Sequence, residues 1–247
     1  MNKREKDLWR GLNEPARKAL VARDYKTGNF SQRVQSGVEA GELAAADRRK
    51  SDVKKIWIPG VEIFSRQVHT QVQRGSFGEF ARRGEGVLGR IGLWPQQWSA
   101  ARMFAHTAKG FHIHPPQIPN DTTPEKWMRR LFVAQPQNYS LRPYDREQWD
   151  VMFFVQGRAE MILSDVRAGL PSRVMRLFID GDNHRGQNNV AVVIPPGVAH
   201  AIRAEGSEDV IMVYGTSTVF HPEFEGRIAS EIESAPLPES WQRFLEL

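Results

Sequence analysis

The chain of 247 residues contains no cysteine and no long uninterrupted apolar stretch. The missing cysteine excludes disulfide bonds and thiolate metal sites, which leaves histidine and carboxylate side chains as metal ligands. No run approaches the roughly 18 apolar residues that a membrane-spanning helix needs, so we expect no membrane contact. The first residues are basic, but no apolar segment follows them, which does not indicate a secretory signal. We therefore expect a cytoplasmic protein.

Charge of either sign is not concentrated in one part of the chain. The formal net charge is +5 at pH 7, from 34 lysines and arginines against 29 acidic residues. This mild excess suits an anionic small molecule such as a sugar diphosphate. Because the charges are interspersed and no nucleic-acid-binding motif is recognisable, we expect no nucleic-acid partner.

Short β-rich runs separated by glycine or proline dominate the chain from Ile56 onward, which predicts a mainly β protein with a jelly-roll barrel. The predicted strands are Val61–Val68, Gly86–Trp94, Ala100–His106, Phe111–His114, Asp150–Val155, Ala159–Asp165, Val174–Asp180, Val190–Ile194, His200–Ala204 and Val210–Tyr214. We expect the barrel over residues 53–232. A tail with a short helix should follow over residues 233–247.

Two further segments have their own composition. Residues 1–52 predict a helical arm, including a helix over Ser31–Arg49, that packs on the barrel or on a neighbouring subunit. A separate partner-binding helix is the alternative for this arm. Residues 115–149 interrupt the barrel between two strands that carry candidate site residues. A loop of this length predicts a lid over the pocket, or else an oligomer contact.

Four polar residues stand at positions that suit a metal site. His112 and His114 form a His-x-His pair whose side chains would share one face of a strand, Asp150 opens an apolar strand, and His200 follows a Pro-Pro-Gly turn. Together they resemble the ligand arrangement of cupin barrels. Three imidazoles and one carboxylate suit one divalent ion of Zn, Fe, Ni or Mn. The alternative is a set of hydrogen-bonded polar groups lining a sugar pocket.

Several motifs, from about residue 57 to residue 228, resemble those of the dTDP-4-dehydrorhamnose 3,5-epimerases and their relatives in the cupin superfamily. They are the stretch Arg74–Phe80, the stretch Lys109–His112, a Gly-to-Gly stretch over residues 157–169, the turn Ile194–His200, and Tyr214 followed by Phe220. The resemblance implies a catalytic base at His112, a catalytic acid at Tyr214 and a contributing cation at Lys109. It also implies substrate contacts by Arg74, Phe77, Glu79 and Phe220, without an organic cofactor.

The sequence departs from the family pattern inside the site. Lys109 replaces the family's arginine, His114 its glutamine, Asp150 its active-site lysine and Phe220 its second tyrosine. These changes move a cationic pocket towards a metal site. The two roles predicted for His112 compete, because a metal-bound imidazole cannot also be a free base.

We therefore expect an epimerase- or isomerase-like cupin that enolises a nucleotide-linked, dTDP-type 4-keto-deoxysugar, and that forms a homodimer. One alternative is a metal-dependent cupin, an oxygenase or a sugar isomerase, with a non-nucleotide small substrate. The other is a sugar-binding cupin without catalysis. A pocket shared by Arg74, Phe77 and Glu79 would favour the nucleotide, whereas bound iron in a narrow pocket would favour the oxygenase.

Overall fold

The computed structural model describes residues 37–112, 114, 147–165, 173–184 and 186–220. These residues contain three short helices: α1 (Ala40–Ala45), α2 (Ser51–Ile56) and α3 (Gly86–Ile91). The strands before the insertion are β1 (Val38–Glu39), β2 (Glu62–Ser65), β3 (Val68–Gln71), β4 (Gly75–Gly78), β5 (Gln97–Met103) and β6 (Ala108–His112). Those after it are β7 (Asp150–Gln156), β8 (Arg158–Asp165), β9 (Val174–Asp180), β10 (Val190–Ile194), β11 (Val198–Glu205) and β12 (Val210–Thr216).

The strands form two five-stranded sheets, ordered β1-β9-β8-β11-β6 and β2-β10-β7-β12-β5, beside a β3-β4 hairpin. Within the described residues, β1 pairs parallel with β9, and the other pairs are antiparallel. Side chains of both sheets meet in one buried core, to which β7 contributes Phe154 and β8 contributes Met161. This arrangement confirms the predicted jelly roll.

Strand β7 is apolar on both faces because both faces are covered. Met152 and Phe154 point into the core between the sheets, whereas Val151 and Phe153 belong to a second cluster on the outer face. Leu88 of α3 packs in that outer cluster. A strand buried on both sides has a continuous apolar run instead of an alternating one, as this sequence does.

The predicted strand Gly86–Trp94 is wrong, since its first six residues form α3. Leu88 and Ile91 are three residues apart, which places both on the face of a helix that packs against the outer cluster. The helix ends at Gly92 in the left-handed conformation, with φ of 70°, which glycine adopts without strain. Helical spacing therefore prevails over the apolar composition of this segment.

The predicted strand Val61–Val68 is also longer than the one observed, since β2 ends at Ser65 and a separate hairpin begins at Val68. The strand ends before Arg66. The guanidinium of Arg66 is buried and donates to the carbonyl of Phe154 at 3.2 Å and to Asp182 at 2.5 Å. A buried cation needs such partners, so Arg66 joins the end of β2 to β7 and to the loop after β9.

Only the end of the predicted arm lies within the described residues. There the helix predicted over Ser31–Arg49 is replaced by β1, which pairs with β9, and by α1, whose Ala40 and Leu43 enter the core. The lid predicted over residues 115–149, apart from its last three residues, and the tail predicted over residues 233–247 lie outside the described residues. Of the helices described, none is long and apolar enough to cross a membrane.

A buried carboxylate on the outer face of the first sheet leads to a stability prediction. Glu160 of β8 is fully buried and forms ion pairs with Arg176 of β9 and Arg203 of β11. We expect Glu160→Gln to lower the free energy of unfolding by about 3 kcal/mol, because it removes the buried negative charge that pairs with two mostly buried guanidinium groups. Urea denaturation measures this. Glu85→Gln, at an exposed ion pair, is the matched control and should cost less than about 1 kcal/mol. Equal losses in the two variants would contradict the prediction.

Candidate functional site

A pocket opens between the two sheets near their edge strands β6 and β5. It encloses about 840 Å³, including the space at its open mouth. Five strands supply most of its wall, together with the segments just before β7 and just after β12. The lining residues are Gln97, Ala101, Lys109, His112, His114, Gln148, Asp150, Met152, His200, Ala201, Ile202, Met212, Tyr214, Thr216 and Phe220. Polar groups thus converge on a partly apolar cavity, which is the usual character of a small-molecule site.

Three of the four predicted metal ligands meet at the buried end of this pocket. Nε2 of His114 lies 2.9 Å from Oδ2 of Asp150, and Nε2 of His200 lies 3.7 Å from the same oxygen. One possible ligand atom from each residue lies within 4.8 Å of the others. All three residues are buried. The two imidazoles and the carboxylate are therefore close enough to hold one ion between them.

The backbone brings these residues together from three parts of the chain. His200 lies on β11 directly after the turn Pro195–Gly197, in which Gly197 has φ of 79°. The Gly197 N–H donates to the carbonyl of His114 at 2.7 Å, so the turn also fixes the backbone of the second histidine. Asp150 begins β7, which is joined through β10 to the same turn. The tight turn predicted from the sequence therefore serves two site residues.

Burial and neighbouring charges together set the protonation states of His200 and Asp150. Burial lowers the pKa of His200 to about 3, together with the nearby His114 and His112 and against the attraction of Asp150. Burial acts to raise the pKa of Asp150, but His114, His200 and the Gln148 amide outweigh it and hold that pKa below its usual value. At neutral pH the site accordingly presents a neutral His200 and an ionised Asp150, which are the forms that bind metals.

His112, the fourth predicted ligand, lies outside this group of three. It is half-buried, pairs with His200 across β6 and β11, and stacks on that ring with centroids 5.7 Å apart. Lys109 pairs with Ile202, so three steps along β6 match two steps along β11. Residues three apart in a regular strand point to opposite faces. The extra residue of this β-bulge lets Lys109 and His112 line the same pocket.

The second sheet forms the opposite wall. Tyr214 of β12 is half-buried against the core and lines the pocket. Phe220 lies at the rim, 47% exposed, and its N–H donates to Oε1 of Gln97 at 2.7 Å. His112 and Tyr214 therefore lie on opposing sheets around one cavity. Gln97 was not predicted from the sequence, and no motif marks it.

A second residue missed by the sequence analysis is Gln148, which is buried beside Asp150. Its Nε2 donates to Oδ1 of Asp150 at 2.9 Å, and the Thr218 hydroxyl donates to its Oε1 at 2.6 Å. The available signal was spacing, because residues 148 and 150 of an extended chain share a face.

The predicted nucleotide contacts lie apart from this pocket. Arg74, Phe77 and Glu79 lie in or beside the β3-β4 hairpin, are exposed, and are not among the pocket-lining residues. Glu79 pairs with Arg82 at 2.9 Å, with both side chains exposed. The structure thus brings Lys109, His112, His114, Asp150, His200, Tyr214 and Phe220 together, but not these three.

Comparison with known proteins identifies proteins that are similar to this chain in sequence or in fold. No protein-family model matches the chain. The spore coat polysaccharide biosynthesis protein SpsL of Bacillus subtilis (strain 168) is 24% identical over 167 residues, which cover 67% of this chain and 84% of that protein. ChmJ, a 3′-monoepimerase from Streptomyces bikiniensis solved in complex with dTDP-quinovose, matches with a TM-score of 0.51. The chain shares the fold of ChmJ.

That match covers 78% of this chain and 90% of ChmJ at 19% sequence identity. A double mutant of ChmJ in complex with dTDP matches over the same shares with a TM-score of 0.50. At this identity the likeness establishes the fold. The expected resemblance to nucleotide-sugar epimerases is therefore confirmed at the level of architecture.

Proposed function

We propose that this protein is an epimerase- or isomerase-like enzyme that enolises a nucleotide-linked, dTDP-type 4-keto-deoxysugar. The observation that carries the proposal is the placement of His112 and Tyr214, a base and an acid, on opposing walls of one pocket. The dTDP-sugar complex of the fold relative ChmJ and the polysaccharide-biosynthesis role in the name of SpsL support it.

The proposed reaction needs no oxidant or reductant. His112 takes the proton from the carbon next to the ketone, and the electron pair of that C–H bond forms the enolate with the charge on the ketone oxygen. The Tyr214 hydroxyl then returns a proton to the same carbon from the opposite face, and the carbonyl re-forms. The configuration at that carbon inverts. His112 then releases the proton it took to solvent, and Tyr214 regains a proton from solvent.

Lys109 and the buried group of His114, Asp150 and His200 would stabilise the negative charge of the enolate. The Lys109 ammonium lines the same wall as His112, where a positive charge lowers the energy of a developing enolate. His114, Asp150 and His200 fit a divalent ion by donor type, burial and mutual distance, so we propose them as its ligands. Such an ion would supply Lewis-acid polarisation of the ketone. With His112 outside this group, it can act as the base.

Deuterium uptake tests the function directly. We expect the wild-type protein to incorporate deuterium next to the keto group of a dTDP-4-keto-6-deoxysugar in heavy water, and mass spectrometry measures it. The altered surroundings at Lys109 and Asp150 lead us to expect exchange at one carbon more readily than double epimerisation. Absence of uptake with dTDP-, GDP- and CDP-linked keto-sugars, with metal restored, would contradict the proposal.

A nucleotide contact at Arg74 is a further prediction. The Arg74 side chain is exposed at the turn of the hairpin, where its guanidinium can grip a diphosphate with two hydrogen bonds. We expect Arg74→Ala to weaken binding of dTDP about tenfold or more, because a hydrogen bond to a charged group contributes about 1.5–3 kcal/mol. Calorimetry measures the affinity, with the exposed Arg83→Ala as matched control. Equal affinities of wild type and Arg74→Ala would rule the contact out.

A metal-dependent cupin with a non-nucleotide small substrate is the second candidate. It is favoured by the buried group of His114, Asp150 and His200, and by the position of the hairpin outside the pocket lining. Metal binding without affinity for any nucleotide diphosphate would favour it over the first proposal. The homodimer and the cytoplasmic location stay predictions from the sequence.

A further inference from the structure

A buried chain of hydrogen bonds leads from the end of β12 to the carboxylate of Asp150. The Thr218 hydroxyl donates to Gln148 Oε1 at 2.6 Å, and Gln148 Nε2 donates to Asp150 Oδ1 at 2.9 Å. The Thr216 hydroxyl donates to the carbonyl of Thr218 at 2.6 Å. Thr216, Thr218, Gln148 and Asp150 are all at most 7% exposed. Buried hydrogen bonds of this kind are more expensive to break than exposed ones.

The direction of these hydrogen bonds follows from the donors available. Thr218 has one hydroxyl proton, which it gives to the oxygen of the Gln148 amide. The amide nitrogen then faces Asp150 and donates to its Oδ1. The other oxygen, Oδ2, is the one that faces both His114 and His200. Each carboxylate oxygen thus has a separate set of partners.

The backbone supports the same connection. The Trp149 N–H donates to the Ser217 hydroxyl at 2.9 Å, and the Ser217 N–H donates to the Trp149 carbonyl at 2.9 Å. Trp149, next to Gln148, is therefore held against Ser217, next to Thr218. This pairing keeps the Gln148 side chain within hydrogen-bond reach of both Thr218 and Asp150.

We propose that Gln148, held by Thr218, is a positioning residue that fixes the Asp150 carboxylate with Oδ2 directed at His114 and His200. The proposal rests on the proposed function, in which His114, Asp150 and His200 are metal ligands. It concerns how the carboxylate of Asp150 is oriented towards the two histidines. Outer partners that orient a ligand in this way typically contribute about 10- to 100-fold to metal affinity.

The test uses the full-length protein with two readouts other than catalysis. The first is the nitrogen chemical shifts of the His114 and His200 imidazoles in metal-free protein, which report their contact with Asp150. The second is the dissociation constant and visible absorption spectrum of bound Co²⁺. We expect Gln148→Leu to move the imidazole shifts and to weaken Co²⁺ binding about 10- to 100-fold. Thr218→Val should change both readouts in the same direction, and Thr218→Ser, which keeps the hydroxyl, should restore them.

Ile179→Val separates positioning from a general loss of stability. Ile179 is buried in β9, outside the pocket lining, and loss of one methyl group there lowers stability about as much as loss of one hydrogen bond does. It should leave both readouts unchanged. Imidazole shifts that are the same in wild type, Gln148→Leu and Thr218→Val would overturn the proposal. If wild type binds no Co²⁺, the metal assignment fails, and the imidazole shifts alone decide the role of Gln148.

Discussion

Tyr214→Phe and His112→Asn are each expected to slow deuterium exchange next to the keto group by on the order of 100- to 10,000-fold, the range of general acid–base catalysis. Phenylalanine keeps the ring of Tyr214 packed on the core but lacks the hydroxyl proton that returns to carbon. Asparagine keeps polarity at position 112 but has no basic nitrogen. Mass spectrometry of the sugar after timed incubation in heavy water measures the rates.

His106→Asn is the matched control for the histidine change. His106 is exposed in a turn with φ of 60°, a conformation that asparagine tolerates, so the variant should fold and exchange protons like wild type. Calorimetry with dTDP shows whether Tyr214→Phe and His112→Asn still bind ligand. Exchange at the wild-type rate in either variant, with binding intact, would remove that residue from the mechanism.

Asp150→Asn is expected to weaken divalent-metal binding by at least about 100-fold. Loss of a residue that only orients a ligand costs about 10- to 100-fold in metal affinity, and loss of a charged ligand should cost at least the upper end of that range. Asp150 is the only carboxylate among the group of His114, Asp150 and His200, and asparagine of nearly equal size removes its charge. Elemental analysis of protein purified without an affinity tag, and dialysis against Zn, Ni, Mn and Fe(II), measure occupancy and affinity.

The exposed Asp52→Asn on α2 is the control for loss of one negative charge and should bind metal like wild type. His112→Asn distinguishes three ligands from four. With His114, Asp150 and His200 as the ligand set, this variant should keep its metal, whereas a fall equal to that of His114→Asn would make His112 a ligand. Less than about 0.1 metal per chain in wild type after incubation with all four metals would contradict a metal site of any composition.

Some of the fold could be predicted from local pattern alone. The apolar run of Asp150–Val155 and the turn before His200 each depend on residues close together in sequence, and both are found where they were predicted. Glycine and proline between short β-rich runs likewise indicated a jelly roll. The error at Gly86–Trp94 arose because apolar composition does not distinguish a short helix from a strand when the covering surface is unknown.

The site was predictable only where a motif marked it. His112, Tyr214 and Lys109 stood in recognisable stretches, and all three line the pocket. Gln148 and Gln97 are single polar residues without a motif, so only their three-dimensional neighbours reveal them. Arg74, in a motif as clear as the others, lies outside the pocket lining, because a motif specifies residue types but not the direction in which a hairpin projects.

The sequence by itself determined the strand-rich architecture and the chemical types available to the site, because alternation, turns and the absence of cysteine are local properties. The tertiary structure decided which of these groups meet. The β-bulge that turns Lys109 and His112 to one face depends on pairing with β11, which lies far along the chain. The convergence of His114 and His200 on one carboxylate oxygen of Asp150 likewise depends on strand order and register, which the sequence does not show before the strands are paired.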